Sequence, residues 1–173
     1  MKLLRLVPCT ILAILLFFLG YGLKLDPHKL STPKIGKNLP RFDLPMLLGA
    51  KTQRFTPKVL LGHKSILVVW ASWCESCREE QAFLMSLAHK QDLKLYGLNY
   101  KDDPNDAKQW LVDWGNPFQE IGMDRKGKLA FDLGVYGTPE TYLIDEQGKI
   151  QHRYAGVLTP KIWQREFSPF VQM

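Results

Sequence analysis

Apolar residues crowd the start of the chain and thin out after it. From Leu6 to Leu23 (LVPCTILAILLFFLGYGL) 18 positions pass without a formal charge. As a helix rising about 1.5 Å per residue, this run spans roughly 27 Å, near the about 30 Å of a bilayer's hydrocarbon core. The pattern predicts a single transmembrane helix. A cleaved signal would end in a small-x-small site, for which only the poor Gly20-Tyr21-Gly22 is available, so residues 1–23 read as a retained anchor. Cys9 precedes most of the apolar run, where a lipid-bearing cysteine would follow it, and reads as a small embedded side chain. Residues 24–38 are polar, with Pro27, Pro33 and Gly36, and read as a tether. A folded domain is expected over 39–173.

Within that domain Phe42 and Leu44 alternate with polar neighbours, and a loop-rich stretch comes next through Pro57 and Gly62, consistent with a hairpin or irregular lead-in. Ser65 to Ala71 (SILVVWA) is a continuous, β-branched apolar run of the kind that forms a strand buried on both faces. After Cys77 the pattern turns helical. Phe83, Leu84, Leu87 and Ala88 share one face, with Arg78, Glu79 and Glu80 expected on the opposite, solvated one. Leu93 to Asn99 alternates as a second strand. Asp103-Pro104 reads as an N-cap followed by a proline in the first helical turn, with Ala107, Trp110, Leu111 and Trp114 on one face until Gly115. Thr141 to Ile144 and Lys149 to Tyr154 flank the turn Asp145-Glu146-Gln147-Gly148 as an antiparallel pair. A closing helix is expected from about Pro160 to Phe167 with Thr159 as its cap. Strands and helices alternate and then a hairpin closes the pattern, which predicts an α/β domain with a mixed sheet.

Charge changes this picture little and cysteine changes it a great deal. The net charge of +6 falls to +4 once Lys2 and Arg5 are set aside, and the remaining basic residues are scattered among acids, a pattern of a solvated surface rather than a nucleic-acid footprint. Lys2 and Arg5 matter for another reason: standing before the apolar run, they place the C-terminal domain outside the cytoplasm. Three cysteines are too few for a stapled fold. With Cys9 in the apolar run, Cys74 and Cys77 remain as a local pair at a strand-to-helix junction.

Such a pair can bind metal, form an inert staple or exchange electrons. Structural zinc needs two further ligands, but there is no second Cys-x-x-Cys, and His63, His89 and His152 lie far apart in sequence. Copper transfer would recruit a nearby imidazole or thioether that this stretch does not offer. A staple closing so short a loop constrains the unfolded chain little. Redox exchange accounts for the placement best, because the amides and dipole at a helix start stabilise a thiolate. Cys74 is then expected to be the exposed nucleophile and Cys77, one turn further in, the buried resolving thiol. Trp73 is expected beside the pair as an apolar contact for a partner polypeptide, whereas Trp70 reads as a core aromatic. Glu75 between the thiols opposes thiolate formation and is expected to push the pair toward the reducing end of a range of about −120 to −270 mV.

The strand, Trp73-Cys74-Glu75-Ser76-Cys77, the helix and a later Thr138-Pro139 together resemble the thioredoxins. The segments VWASWCESC, LNYKDD, WGNP, LGVYGTPETYLID and RYAGVLTPKIW are similar to one branch, the thiol:disulfide interchange proteins of cytochrome c maturation, of the DsbE or CcmG type. The resemblance implies a periplasmic reductase, anchored by one helix in a bacterial inner membrane. It implies that the haem-binding cysteines of apocytochrome c are kept reduced, directly or through a thiol protein of the CcmH type, with electrons drawn from a membrane donor of the DsbD or CcdA type. It implies a redox-active disulfide and no other cofactor, a cis proline at Pro139 beside the cysteines, and an acidic residue near them at Glu140. Two departures stand out. The branch usually has proline where this chain has Glu75. Thioredoxins carry a buried aspartate six residues before the first cysteine, where this chain has Val68, so Glu140 or water is expected to take the proton of Cys77.

Overall fold

The computed structural model describes residues 7–22, 35–50, 52–89 and 93–171, and the chain divides into two units, residues 1–31 and 32–173. The first contains α1 (Val7–Gly22), 16 residues long, with Ile11, Leu15, Phe17 and Phe18 exposed. Among the described residues no helix is long and apolar enough to cross a membrane. Leu6 and Leu23, the two ends of the 18-residue run, lie outside the described residues, as do residues 24–34 of the expected tether.

The second unit is built on a five-stranded sheet of β3 (Ser65–Trp70), β4 (Lys94–Tyr100), β5 (Glu120–Asp124), β6 (Glu140–Ile144) and β7 (Ile150–Ala155), in the order β5-β4-β3-β6-β7. Strands β3, β4 and β5 run parallel; β6 is antiparallel to β3, and β7 to β6. The sheet is therefore mixed, as the sequence predicts. β3 is central and buried at every position, which is why its sequence shows no alternation. Its Ile66, Val68 and Trp70 face one core, shared with Cys77, Leu84 and Leu87 of α2 (Glu75–Ala88), Trp110 of α3 (Pro104–Trp114), and Trp163 and Phe167. Leu67 and Val69 face a second, with Tyr142, Ile144, Phe55, and Leu129 and Leu133 of α4 (Lys128–Leu133). Each leucine so buried contributes about 2 kcal/mol.

The expected caps are present. Asp103 accepts the Asn105 amide at 2.8 Å, and Gly115, at φ 90°, ends α3. Thr159 caps the C-terminal segment, which departs from a plain α-helix: Pro160–Ile162 passes into a π-helical Trp163–Phe167 and then Ser168–Val171. β5 and α4 carry no expectation in the sequence; the strand EIGMD has a glycine at its centre, and the helix has only six residues.

The lead-in is a hairpin, β1 (Leu44–Pro45) with β2 (Arg54–Phe55). It docks on the outer edge of β5, where Met46 bridges Gly122 and the Leu47 amide donates to Ile121 O at 2.9 Å. Gly122 is required there, since a Cβ would stand 2.4 Å from the buried ring of Phe55. Residues just before the hairpin also bond to the domain: the Gly36 amide donates to Ile150 O and the Leu39 amide to Gly148 O.

Candidate redox site at the start of α2

The chain leaves β3 at Trp70, turns through Ala71–Trp73 and enters α2 with Cys74 as the N-cap. Cys74 and Cys77 are joined in a disulfide, their Cα atoms 5.3 Å apart. Cys74 Sγ accepts the Cys77 amide at 3.1 Å and lies 3.6 Å from the Ser76 hydroxyl. These donors at a helix N-terminus are the groups that would stabilise a Cys74 thiolate. In the disulfide form Cys74 is hardly more exposed than Cys77, 5% against 1%, so the expected exposed nucleophile is a buried one, folded over the first turn of the helix. Trp73 is 57% exposed, its indole N–H donating to Lys101 O at 3.2 Å. Trp70 is buried against Trp110 and Phe118.

The Thr138-Pro139 bond is cis. Glu140, the next residue, pairs with Val69 across β3 and β6, which puts the buried proline at the sheet end from which Ala71–Cys74 depart. Thr138, Pro139, Trp73, Cys74 and Cys77 thus gather at one end of the sheet.

Glu140 and Glu75 each have an arginine partner. Both oxygens of Glu140 are taken by Arg153, at 2.7 and 2.8 Å, and the carboxylate also accepts the Tyr142 hydroxyl at 2.9 Å and the Tyr136 amide at 2.8 Å. The pair is buried on both sides, with Arg153 over the rings of Tyr136 and Tyr142. Burial first, and then the Glu140 charge, push the Tyr142 phenol far above its ordinary range. Glu140 also lies on the face of Val69 and Tyr142, whereas Cys77 packs with Val68 on the other. Its carboxylate braces the 136–140 loop that carries the cis proline, on the sheet face opposite the one against which Cys77 packs. Glu75 is exposed and ion-paired with Arg78, whose guanidinium lies 5.0 Å from the centre of the Trp114 ring. Its charge is offset by a neighbour that the sequence pattern leaves on a solvated face.

A second buried acid is Glu80. Instead of facing water with Arg78 and Glu79, it is 1% exposed on the buried face of α2 with Cys77, Gln81 and Leu84. One oxygen accepts the Leu158 amide at 2.7 Å, while the other has no protein partner. Burial pushes its carboxyl up to about 8, with the Leu158 hydrogen bond pulling the other way. Position 68 has no carboxyl, and α2 holds one on its buried face, one turn beyond Cys77. The spacing carries the signal, because residues 77, 80, 84 and 87 keep the i, i+3, i+7 period of a single face. Among the described residues no group of three or more His, Cys, Asp or Glu side chains is arranged to hold a metal.

A comparison with protein families matches residues 35–153 to the AhpC/TSA family. The thiol:disulfide interchange protein DsbE of Pseudomonas aeruginosa is 44% identical over 96% of this chain and 92% of its own length. The protein of the same name from Escherichia coli K12 is 43% identical over 83% of this chain and 77% of its own. Among solved structures, a Chlorobium tepidum protein assigned as a DsbE is 28% identical with a TM-score of 0.64, covering 76% of this chain and 90% of its own. A secreted thiol-disulfide isomerase from Corynebacterium glutamicum has the same fold, with a TM-score of 0.66 at 21% identity over 78% of this chain and 86% of its own. With a cis proline, a Cys-x-x-Cys disulfide capping α2 and relatives of this closeness along nearly its whole length, the chain belongs to the DsbE thiol:disulfide interchange proteins and is a thioredoxin-like thiol:disulfide oxidoreductase.

Proposed function

We propose that this protein is a membrane-anchored dithiol reductase of the periplasm, serving cytochrome c maturation. It keeps the haem-binding cysteines of apocytochrome c, or of a CcmH-type thiol protein, reduced, and is itself re-reduced by a membrane donor of the DsbD or CcdA type. The observation that carries the reductase reading is the buried Glu80 on the same helix face as Cys77. In the reduced protein the Cys74 thiolate attacks a partner disulfide, forming a mixed disulfide and expelling one partner thiolate, which is protonated. Where Glu80 is ionised, a fraction that grows as pH rises toward 8, the Cys77 thiol passes its proton to that carboxylate and its sulfur attacks Cys74 Sγ. That step closes the Cys74–Cys77 disulfide and releases the second partner sulfur, so two electrons reach the partner. A carboxyl held near 8 is well matched to a thiol of ordinary pKa about 8.5, so the proton moves with little driving force lost. Trp73 stands exposed beside the reacting sulfurs and offers the surface on which a partner chain packs, with the buried cis Pro139 at the same end of the sheet. The anchor reading rests on the 18 uncharged residues from Leu6 to Leu23 and the exposed apolar side chains of α1.

Cys77→Ser in the native cell tests this directly. With the resolving sulfur removed, Cys74 should remain covalently joined to apocytochrome c or its thiol partner and be recoverable in the membrane fraction. Recovery of no mixed disulfide with a cytochrome c maturation protein would reject the assignment. A protein that stays largely reduced at equilibrium with a glutathione buffer that oxidises ordinary reductases would instead be an oxidase.

A further inference from the structure

Asp102 sits at the corner between β4 and α3, in the LNYKDD stretch, which has no part in the electron transfer itself. Four donors converge on its buried carboxylate: the Ser72 amide and hydroxyl, each at 2.6 Å, Asn99 Nδ2 at 2.8 Å and the Asp103 amide at 2.9 Å. Two of the four come from a residue only two positions before Cys74. One side chain therefore ties the loop that carries the nucleophile to the end of the neighbouring strand. The adjacent residue holds the next position of the same loop. Lys101 has left-handed backbone, φ 47°, unusual for a lysine and of the kind that collects at functional corners. Its carbonyl accepts the Trp73 indole N–H, and Tyr100 lies beside that ring at 6.4 Å. Trp73 is thus a large exposed aromatic pinned at its polar end.

We propose that Asp102 is a positioning residue for partner capture. By clamping Ser72 to the Lys101 corner, it holds the exposed Trp73 ring where a polypeptide with an apolar side chain beside its cysteine must pack to present a disulfide to Cys74. This rests on the disulfide-exchange function proposed for the Cys74–Cys77 pair. A small disulfide, which needs only the sulfurs, depends on the clamp less than a peptide does.

The test uses the full chain, reduced, with Asp102→Ala, Asp102→Asn and Ser72→Ala, against two oxidants: a synthetic peptide closed by a Cys-x-x-Cys-His disulfide, and oxidised glutathione. Asp102→Ala should raise the peptide KM about tenfold with kcat held within about threefold, while the glutathione rate falls by less than about threefold. Asp102→Asn, which can still accept through one oxygen, and Ser72→Ala, which keeps the amide bond, should fall in between. The indole N–H resonance of Trp73 should shift in the same order. Equal losses on both oxidants, or an unchanged peptide KM with an unmoved Trp73 resonance, would overturn the proposal. Should Asp102→Ala not fold, Ser72→Ala decides by the same criteria. A wild-type protein without Cys74-dependent exchange on either oxidant would sink the disulfide-exchange function, and the role of Asp102 with it.

Discussion

Glu75 and Glu80 stand on the first two turns of α2, and only Glu75 is open to water. For Glu80 the sign of the pH effect is set by burial. Its folded carboxyl is raised from 4.5 to about 8, so between those values the folded state keeps a proton that the unfolded chain has lost. Stability is full below about 4.5 and declines as pH rises toward 8. Glu80→Gln removes this dependence. Its melting temperature should exceed that of the wild type by a margin that widens across the same window, as followed by calorimetry. Its resolving step should slow by about 100-fold near neutrality, with the inflection near 8 gone from the pH profile. For Glu75 the relevant quantity is a coupling. With Arg78 in place, Glu75→Gln should barely lower the Cys74 thiol pKa, whereas in an Arg78→Gln background the same change should lower it clearly. Titrating thiolate absorbance in the four proteins gives that difference, and equal shifts in both backgrounds would show that Arg78 does not shield Glu75. The exposure of the Glu75–Arg78 pair makes its worth to stability small in any case.

The loop before β6 owes its shape to a single buried ion pair. Arg153 reaches from β7 to Glu140, and Glu140 in turn accepts amides of residues 136 and 137. Arg153→Met leaves that carboxylate buried without its partner and should cost about 3–5 kcal/mol in urea unfolding, far more than a surface pair. The double change Arg153→Met with Glu140→Gln should recover part of the loss. None of this is legible at the level of sequence pattern, where an arginine in an alternating strand and a glutamate after a proline both look solvated. Burial patterns with a period are largely legible: the unbroken run of β3, Ala107, Trp110 and Leu111 of α3, and the caps at Asp103 and Thr159 read directly, whereas Trp114, expected on the same face of α3, is exposed. What escapes is set by partners distant in sequence. β5 shows no clear pattern because Gly122 serves Phe55, 67 residues earlier. Glu80 hides because, next to the charged Arg78 and Glu79, it looks like surface unless the helical period from Cys77 to Leu84 is followed.

For the molecule as a whole, the hairpin β1–β2 decides how the sheet meets its surroundings. Phe55 packs over Gly122, and the backbone of residues 46 and 47 bonds to β5, so that edge of the sheet is covered. Phe55→Ala should cost about 3–5 kcal/mol and free the hairpin. An uncovered edge recruits other strands, so light scattering should rise with protein concentration in this variant and not in the wild type. The same hairpin also orders events in time. It lies among the first domain residues to be synthesised, yet its seat does not exist until β4, α3 and β5 have assembled about 65 residues later. Residues 36–39 wait longer still, for the turn at 148–150. The beginning of the domain must therefore stay unpaired until nearly all of the chain is made. Such long-range closure is slow to form, and it makes the earliest stretch the most vulnerable to a protease while synthesis continues.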